Sequence, residues 1–150
     1  MDQGDLVDDF ELRDETGQPR RLTDFLASGP VVLFFYPAAL SAGCSAESRH
    51  FRDLSPQFTE LGAQVVGISM DGVARQCEFS ERDSLRLPLL SDVDGSVARL
   101  FGVKRRFGPI PVKRWTFVID TGRSIRAVIK SETRMRIHAD RALEVLRQTS

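Results

Sequence analysis

Apolar positions in this chain of 150 residues come in two kinds of run, unbroken and periodic, and the two predict different elements. Residues 30–36, Pro30-Val31-Val32-Leu33-Phe34-Phe35-Tyr36, hold no charged side chain and are mostly β-branched or aromatic. That pattern predicts a strand covered on both faces. Residues 64–69 predict a second buried strand. Between them, residues 45–61 carry Phe51, Leu54, Phe58 and Leu61 at three- and four-residue steps, the stripe of an amphipathic helix. Pro56 inside that stripe predicts a kink or break.

The same reading places a second helix at 73–83 and a short one at 96–101, closed by Gly102. Residues 115–119 and 124–129 predict strands joined by the turn Asp120-Thr121-Gly122-Arg123. A final helix is predicted at 139–147. At the N-terminal end, Asp9-Phe10-Glu11-Leu12 alternates, Asp14-Glu15-Thr16-Gly17 is turn chemistry, and Arg20-Arg21-Leu22 reads as the return strand of a hairpin. Thr23 can cap a brief helix ending at Leu26. Strand, helix, strand, helix, then a hairpin and a helix imply an α/β fold with a mixed central sheet and helices on both faces. This is the layout of the thioredoxin fold, and the length suits one domain spanning 1–150.

Composition narrows the function classes. Twenty-one Lys and Arg balance 21 Asp and Glu, which favours neither nucleic acid nor a membrane surface. The one basic cluster, Lys104-Arg105-Arg106, reads as a solvated loop. No apolar run approaches the ~20 residues a membrane helix needs, and Met1-Asp2-Gln3-Gly4-Asp5 does not have the character of a secretory signal. Two cysteines without an export signal point to a reducing, cytoplasmic setting, in which cysteines tend to be catalytic or structural rather than permanently bridged. His50 and His138, far apart and without a cysteine at ligand spacing, argue against a metal site.

Cys44 is the candidate nucleophile. It follows the apolar strand, Pro37 and the small residues Ser41-Ala42-Gly43, and precedes Ser45-Ala46-Glu47-Ser48, which read as the first turn of a helix. Backbone N–H groups there lack intrahelical partners, and with the helix dipole they favour a thiolate, the reactive form of cysteine. The plain alternative is a small buried hydrophobe, as most free cysteines are.

The arrangement Pro37-x-x-x-Ser41-x-x-Cys44 resembles the active-site motif of the peroxiredoxins. Val31-Val32-Leu33-Phe34-Phe35-Tyr36-Pro37, Gly43-Cys44-Ser45-Ala46-Glu47 and Phe51-Arg52-Asp53 resemble the peroxiredoxin Q (bacterioferritin comigratory protein) branch. Pro88-Leu89-Leu90-Ser91-Asp92, Phe101-Gly102-Val103 and Arg114-Trp115-Thr116-Phe117-Val118-Ile119-Asp120 follow in that branch's order. The resemblance implies a thioredoxin fold and a thiol peroxidase for hydrogen peroxide and small organic hydroperoxides. It implies that Cys44 attacks peroxide, that Ser41 holds the peroxide oxygens where most members have threonine, and that Pro37 shields the sulfur. Arg114 matches the family's arginine anchor, whose fork can serve thiolate and peroxide together. Glu47 matches a family position from which a carboxylate can orient Arg114, though an ordinary helix-start acid also fits. The loop N–H groups of Gly43 and Cys44 are further donors, and Gly43 lets backbone approach substrate. No metal, haem or flavin is implied.

Three positions depart from the family: Ala42 for proline, Ser45 for threonine, and Arg49 where many members carry the cysteine that resolves the sulfenic acid. Cys77 is the internal candidate for that role, since some members of the branch carry a resolving cysteine on the same helix. A thioredoxin-like dithiol protein would then reduce the disulfide, with the enzyme a monomer or weak homodimer. Two alternatives stand beside this reading. One is a one-cysteine peroxidase recycled by a low-molecular-weight thiol; the other is a thioredoxin-fold redox sensor or holdase with slow turnover.

Overall fold

The structure, a computed structural model, describes residues 1–149. In chain order its elements are β1 (Glu11–Arg13), β2 (Pro19–Arg21), α1 (Leu22–Leu26), β3 (Val31–Phe35), α2 (Ala42–Asp53), α3 (Ser55–Glu60), β4 (Gln64–Ser69), α4 (Val73–Asp83), β5 (Leu89–Ser91), α5 (Ser96–Phe101), β6 (Trp115–Ile119), β7 (Ile125–Lys130) and α6 (Met135–Thr149). The strands form one seven-stranded sheet in the order β2-β1-β5-β4-β3-β6-β7. β3, β4 and β5 run parallel, while β6 pairs antiparallel with both β3 and β7 and β1 antiparallel with β2 and β5. This is the expected mixed sheet.

Because side chains alternate across a strand, β3 and the residue after it serve two cores. Val32, Phe34 and Tyr36 join Phe51 of α2, Phe58 of α3, Phe79 of α4 and Ala142 of α6. Val31, Leu33 and Phe35 join Phe25 of α1, Phe101 of α5 and Phe117 of β6. All five β3 residues are buried, which explains the unbroken apolar run. The α2 side is packed tightly enough to require Gly67 on β4: a Cβ there would stand 2.9 Å from Phe34 Cζ and from Leu89 Cδ2. That side also carries Cys44.

Several boundaries differ from expectation, each for a local reason. The predicted helix over 45–61 is two helices: α2 ends at the Leu54 cap, and Pro56 sits in the first turn of α3, where its missing N–H costs nothing. α2 starts at Ala42, three residues earlier than its polar residues suggest, with Ser41 as its N-cap. α1 is entered from Arg21 rather than Thr23: the Asp24 carboxylate reaches back to accept the Arg21 N–H at 3.2 Å. Thr23 bonds outward instead, its N–H and hydroxyl both donating to Asp9. β1 and β2 are shifted from the predicted hairpin strands but pair antiparallel as expected. The β6–β7 turn is held by Asp120 Oδ1, which accepts from the N–H groups of Gly122 and Ser124. β5 is too short to show a period in the sequence, and α6 begins at Met135 rather than 139. Among the described residues no helix is long and apolar enough to cross a membrane.

Candidate active site

The chain leaves β3 through Tyr36 and Pro37 and turns into α2 over four residues. That turn puts Leu40 in the left-handed region at φ 70°, unfavourable for a residue with a branched side chain. Neighbouring groups hold it there. Asp71 Oδ2 accepts the Ala39 N–H at 2.7 Å, Arg75 Nη2 donates to the Ala39 carbonyl at 3.3 Å, and Arg82 Nη1 donates to the Leu40 carbonyl at 3.3 Å. Arg82 Nη2 also donates to the Ser45 hydroxyl. α4 thus grips both sides of the α2 start. Pro37 is half-buried at the head of this loop.

Ser41 caps α2: its Oγ accepts the Cys44 N–H at 3.4 Å and donates to the Ala38 carbonyl at 2.9 Å. Cys44 therefore lies inside the first helical turn rather than ahead of it. The dipole argument is unchanged, because the first-turn N–H groups are the unpartnered ones. Cys44 is fully buried. Gly43 has a different use from the one expected. A Cβ on it would stand 3.1 Å from Met135 Cε and 3.4 Å from Arg114 Nη2, so the missing side chain makes room for the guanidinium and for α6.

Arg114 enters from just before β6. Its Nη2 donates to Cys44 Sγ at 3.2 Å and its Nη1 to Glu47 Oε1 at 2.8 Å. The Arg114 N–H is held in turn by the Glu132 carboxylate, at 3.2 Å to each oxygen. Arg114 is 5% exposed and Glu47 fully buried. Burial opposes the charge on Arg114, but Glu47 and Cys44 more than offset it and raise its pKa above the usual arginine value. For Glu47 burial wins: despite Arg114 its pKa is pushed up to about 8.

His138 and Thr116 complete the cluster, and the sequence gives neither of them a role at this site. His138 Nε2 contacts the Ser131 carbonyl at 2.8 Å, and its Nδ1 pairs with the Thr116 hydroxyl at 2.8 Å. A carbonyl only accepts, so Nε2 carries the proton. Burial pushes the imidazole below its usual pKa, which keeps it neutral and lets Thr116 donate to Nδ1. Nε2 also lies 3.5 Å from Glu47 Oε2. No local pattern marks these residues, because the contact joins α2, β6 and α6. Arg75 and Arg82 carried a fainter signal, since seven positions on a helix return to the same face.

The structure gathers Ser41, Gly43, Glu47 and Arg114 about Cys44, with Pro37 half-buried in the loop that leads into the site. It does not bring Cys77 there. Both thiols are free, and Cys77 Sγ donates to Glu81 Oε1 at 3.6 Å on its own helix. The Glu81 charge, then desolvation and that bond, raise the Cys77 pKa. Among the described residues no group of three or more His, Cys, Asp or Glu could hold a metal ion.

The chemistry open to this cluster is nucleophilic. A sulfur at a helix start, backed by a guanidinium that cannot deprotonate, meets the needs of an in-line displacement with charge developing on the departing atom.

Comparison with known proteins agrees with that chemistry. Residues 3–128 match the AhpC/TSA family. The chain is 33% identical over 153 residues to peroxiredoxin Bcp of Bacillus subtilis, covering 98% of this chain and 96% of the relative. It superposes on the crystal structure of peroxidoxin BcpB from Mycobacterium tuberculosis with a TM-score of 0.96 at 55% identity, covering 100% of this chain and 99% of that one. PrxQ of Xylella fastidiosa, solved as a cysteine-to-serine mutant, gives a TM-score of 0.92 at 28% identity, covering 99% of this chain and 97% of that one.

Proposed function

This chain belongs to the AhpC/TSA family, in its peroxiredoxin Q/Bcp branch, and is a thiol-dependent peroxidase; we propose that Cys44 is its peroxide-attacking residue. The observation that carries this assignment is the 3.2 Å contact from Arg114 Nη2 to the buried Cys44 sulfur at the start of α2. Peroxide enters by a small opening of the loop at 37–41, since the sulfur has no exposure in the closed state. Ser41 then exchanges its Ala38 or Cys44 contact for a peroxide oxygen. Arg114 stays on the sulfur and receives the charge that develops on the departing oxygen, where a prepositioned donor lowers the barrier. Pro37 shapes and covers the entrance.

The oxidised product is a Cys44 sulfenic acid. Cys77 resolves it in this reading, and a thioredoxin-like dithiol protein reduces the resulting disulfide, with the enzyme monomeric or weakly dimeric. The bond requires Cα atoms about 4.4–6.8 Å apart, and Cys44 is buried under Arg114 while Cys77 faces Glu81. The first turn of α2 therefore unwinds before the bond forms. A second reading is favoured by the placement of Cys77: its raised pKa lowers its thiolate fraction, as expected of a bystander in a one-cysteine enzyme served by a small thiol.

Mass spectrometry of monomer treated with one equivalent of peroxide separates the two. A product lighter by two hydrogens, with residues 44 and 77 in one cross-linked peptide pair, supports resolution by Cys77. Cys44 trapped as sulfenic or sulfinic acid with Cys77 still free supports the one-cysteine enzyme.

A further inference from the structure

The buried cluster holds one permanent cation and two groups able to become anions. Arg114 gives Nη2 to Cys44 Sγ and Nη1 to Glu47 Oε1, and both acceptor side chains are fully buried. An ion moved into a protein interior loses several kcal/mol of solvation unless a counter-charge replaces it. One guanidinium offsets one anion well. The second would have little else, because Glu47 Oε2 has no hydrogen-bond partner among the described residues.

The groups facing Glu47 do not supply a second cation. His138 on α6 lies 3.5 Å from Oε2, but its Nε2 proton is committed to the Ser131 carbonyl at 2.8 Å and Thr116 faces its Nδ1. Glu132, on the connection into α6, is a further anion, and its charge works against ionising Glu47. Cys44, on the same helix, competes for the same guanidinium. Burial, the largest influence, pushes Glu47 to a pKa of about 8, so in neutral solution the carboxyl keeps its proton.

We propose that Cys44 and Glu47 share one proton across Arg114, and that Glu47 supplies this proton to the leaving oxygen of the peroxide. The proposal rests on the reading of Cys44 as the nucleophile and adds where the proton resides. Before attack Cys44 is the anion and Glu47 the neutral acid. Sulfur attacks the terminal oxygen of ROOH; an S–O bond forms as the O–O bond breaks, and the O–O electron pair leaves on RO⁻. The Glu47 proton passes to RO⁻, which departs as ROH. Cys44 is left as a neutral sulfenic acid and Glu47 as a carboxylate on Arg114. One negative charge is present before and after, so the buried site never holds two anions. When the thiol reductant restores Cys44, Glu47 takes up the released thiol proton.

Infrared difference spectroscopy of the intact protein, before and after one equivalent of peroxide, reads this directly. The wild-type protein should lose the C=O stretch of a protonated carboxylic acid and gain carboxylate bands as Cys44 is oxidised. The change should appear whether the product is sulfenic acid or disulfide, because Cys44 is uncharged in both. Glu47→Gln, which keeps an oxygen for Arg114 Nη1 but has no proton to give, should lack that signal. It should also take up one proton from a weakly buffered indicator solution per Cys44 oxidised, where wild type takes up none. Mass spectrometry on the same samples reports Cys44 oxidation. Oxidised Cys44 without any carboxyl change in wild type overturns the shared proton and leaves the peroxidase assignment standing. Failure of Cys44 to oxidise at all overturns both. The wild-type spectrum decides even if the Gln variant is unstable.

Discussion

The Arg114 guanidinium donates to the Cys44 sulfur over 3.2 Å although 70 positions separate the two residues. The contact joins the start of α2 to the start of β6, two elements anchored on β3 from opposite sides of the chain. Neither end is free to drift. Gly43 leaves the space that the guanidinium occupies, and Glu132 fixes the Arg114 backbone.

Arg114→Ala should slow oxidation of Cys44 by about 10²–10³, the usual loss when one donor to developing charge is removed from a buried site. Arg114→Lys should recover only part of it, since a single ammonium cannot reproduce a fork that spans sulfur and carboxylate. Stopped-flow rates for the two variants and wild type check this. A rate for Arg114→Ala equal to wild type would make the contact incidental.

Ser41→Ala should cost about 1 kcal/mol of stability through loss of the helix cap, read as a lower unfolding midpoint. It should also slow peroxide attack. Because the cap and the substrate donor are one hydroxyl, Ser41→Thr should recover both, whereas Ser41→Asp should recover the cap and not the rate.

Stability should depend on pH through two buried groups of opposite sign. The fold holds the Glu47 proton up to about pH 8 where an ordinary carboxyl releases it near 4.5. At this group the folded state binds one proton more in that window, which taken alone lowers stability as pH rises through it. His138 is pushed below its usual 6.5, so its contribution is lost as pH falls and is complete above that value. Between pH 6.5 and 8 the His138 contribution is complete, and Glu47→Gln, which removes the bound proton, should make the slope of stability against pH more positive than in wild type, by up to about 2 kcal/mol across the window. Denaturant midpoints for the two proteins read this difference; a slope unchanged by the substitution would contradict the buried acid.

Arg82→Ala should loosen the start of α2. The left-handed Leu40 is held by Arg82 and its α4 neighbours, and strained backbone persists only where its surroundings enforce it. Deuterium exchange at residues 40–45 should quicken while exchange in β3 and β4 is unchanged. If exchange at 40–45 stays at the wild-type rate, α4 does not grip the loop.

Apolar runs and helical stripes are legible without a structure, which is why β4 and β6, buried nearly throughout, and α4 and α5, each with one buried face, fall on the predicted residues. The start of α2 is not legible in that way. Ser41-Ala42-Gly43 has the composition of a loop, and only the closing of the Ser41 cap onto the Cys44 N–H makes it a first turn. At the site, the spacing from Pro37 to Cys44 and the arginine before β6 were visible in the sequence. So was Glu47 as a partner for Arg114, but not the groups behind it: His138 and Thr116 come from two further elements and meet Glu47 only through tertiary packing. Cys77 shows the converse, a residue whose place on a helix was readable and whose orientation toward Glu81 was not.

Single-turnover oxidation of Cys44, followed through Trp115, tests the central claim most directly. This residue is the chain's one tryptophan; it adjoins Arg114 and lies under the ammonium groups of Lys113 and Lys130, at 4.9 and 4.3 Å from its ring. Wild-type protein mixed with hydrogen peroxide should show a fluorescence transient whose rate is linear in peroxide and orders of magnitude above that of Cys77 in the Cys44→Ser protein. A folded Cys44→Ser protein should show neither the transient nor turnover. Equal reactivity of the two thiols, or peroxide reduction surviving in Cys44→Ser, would contradict the account.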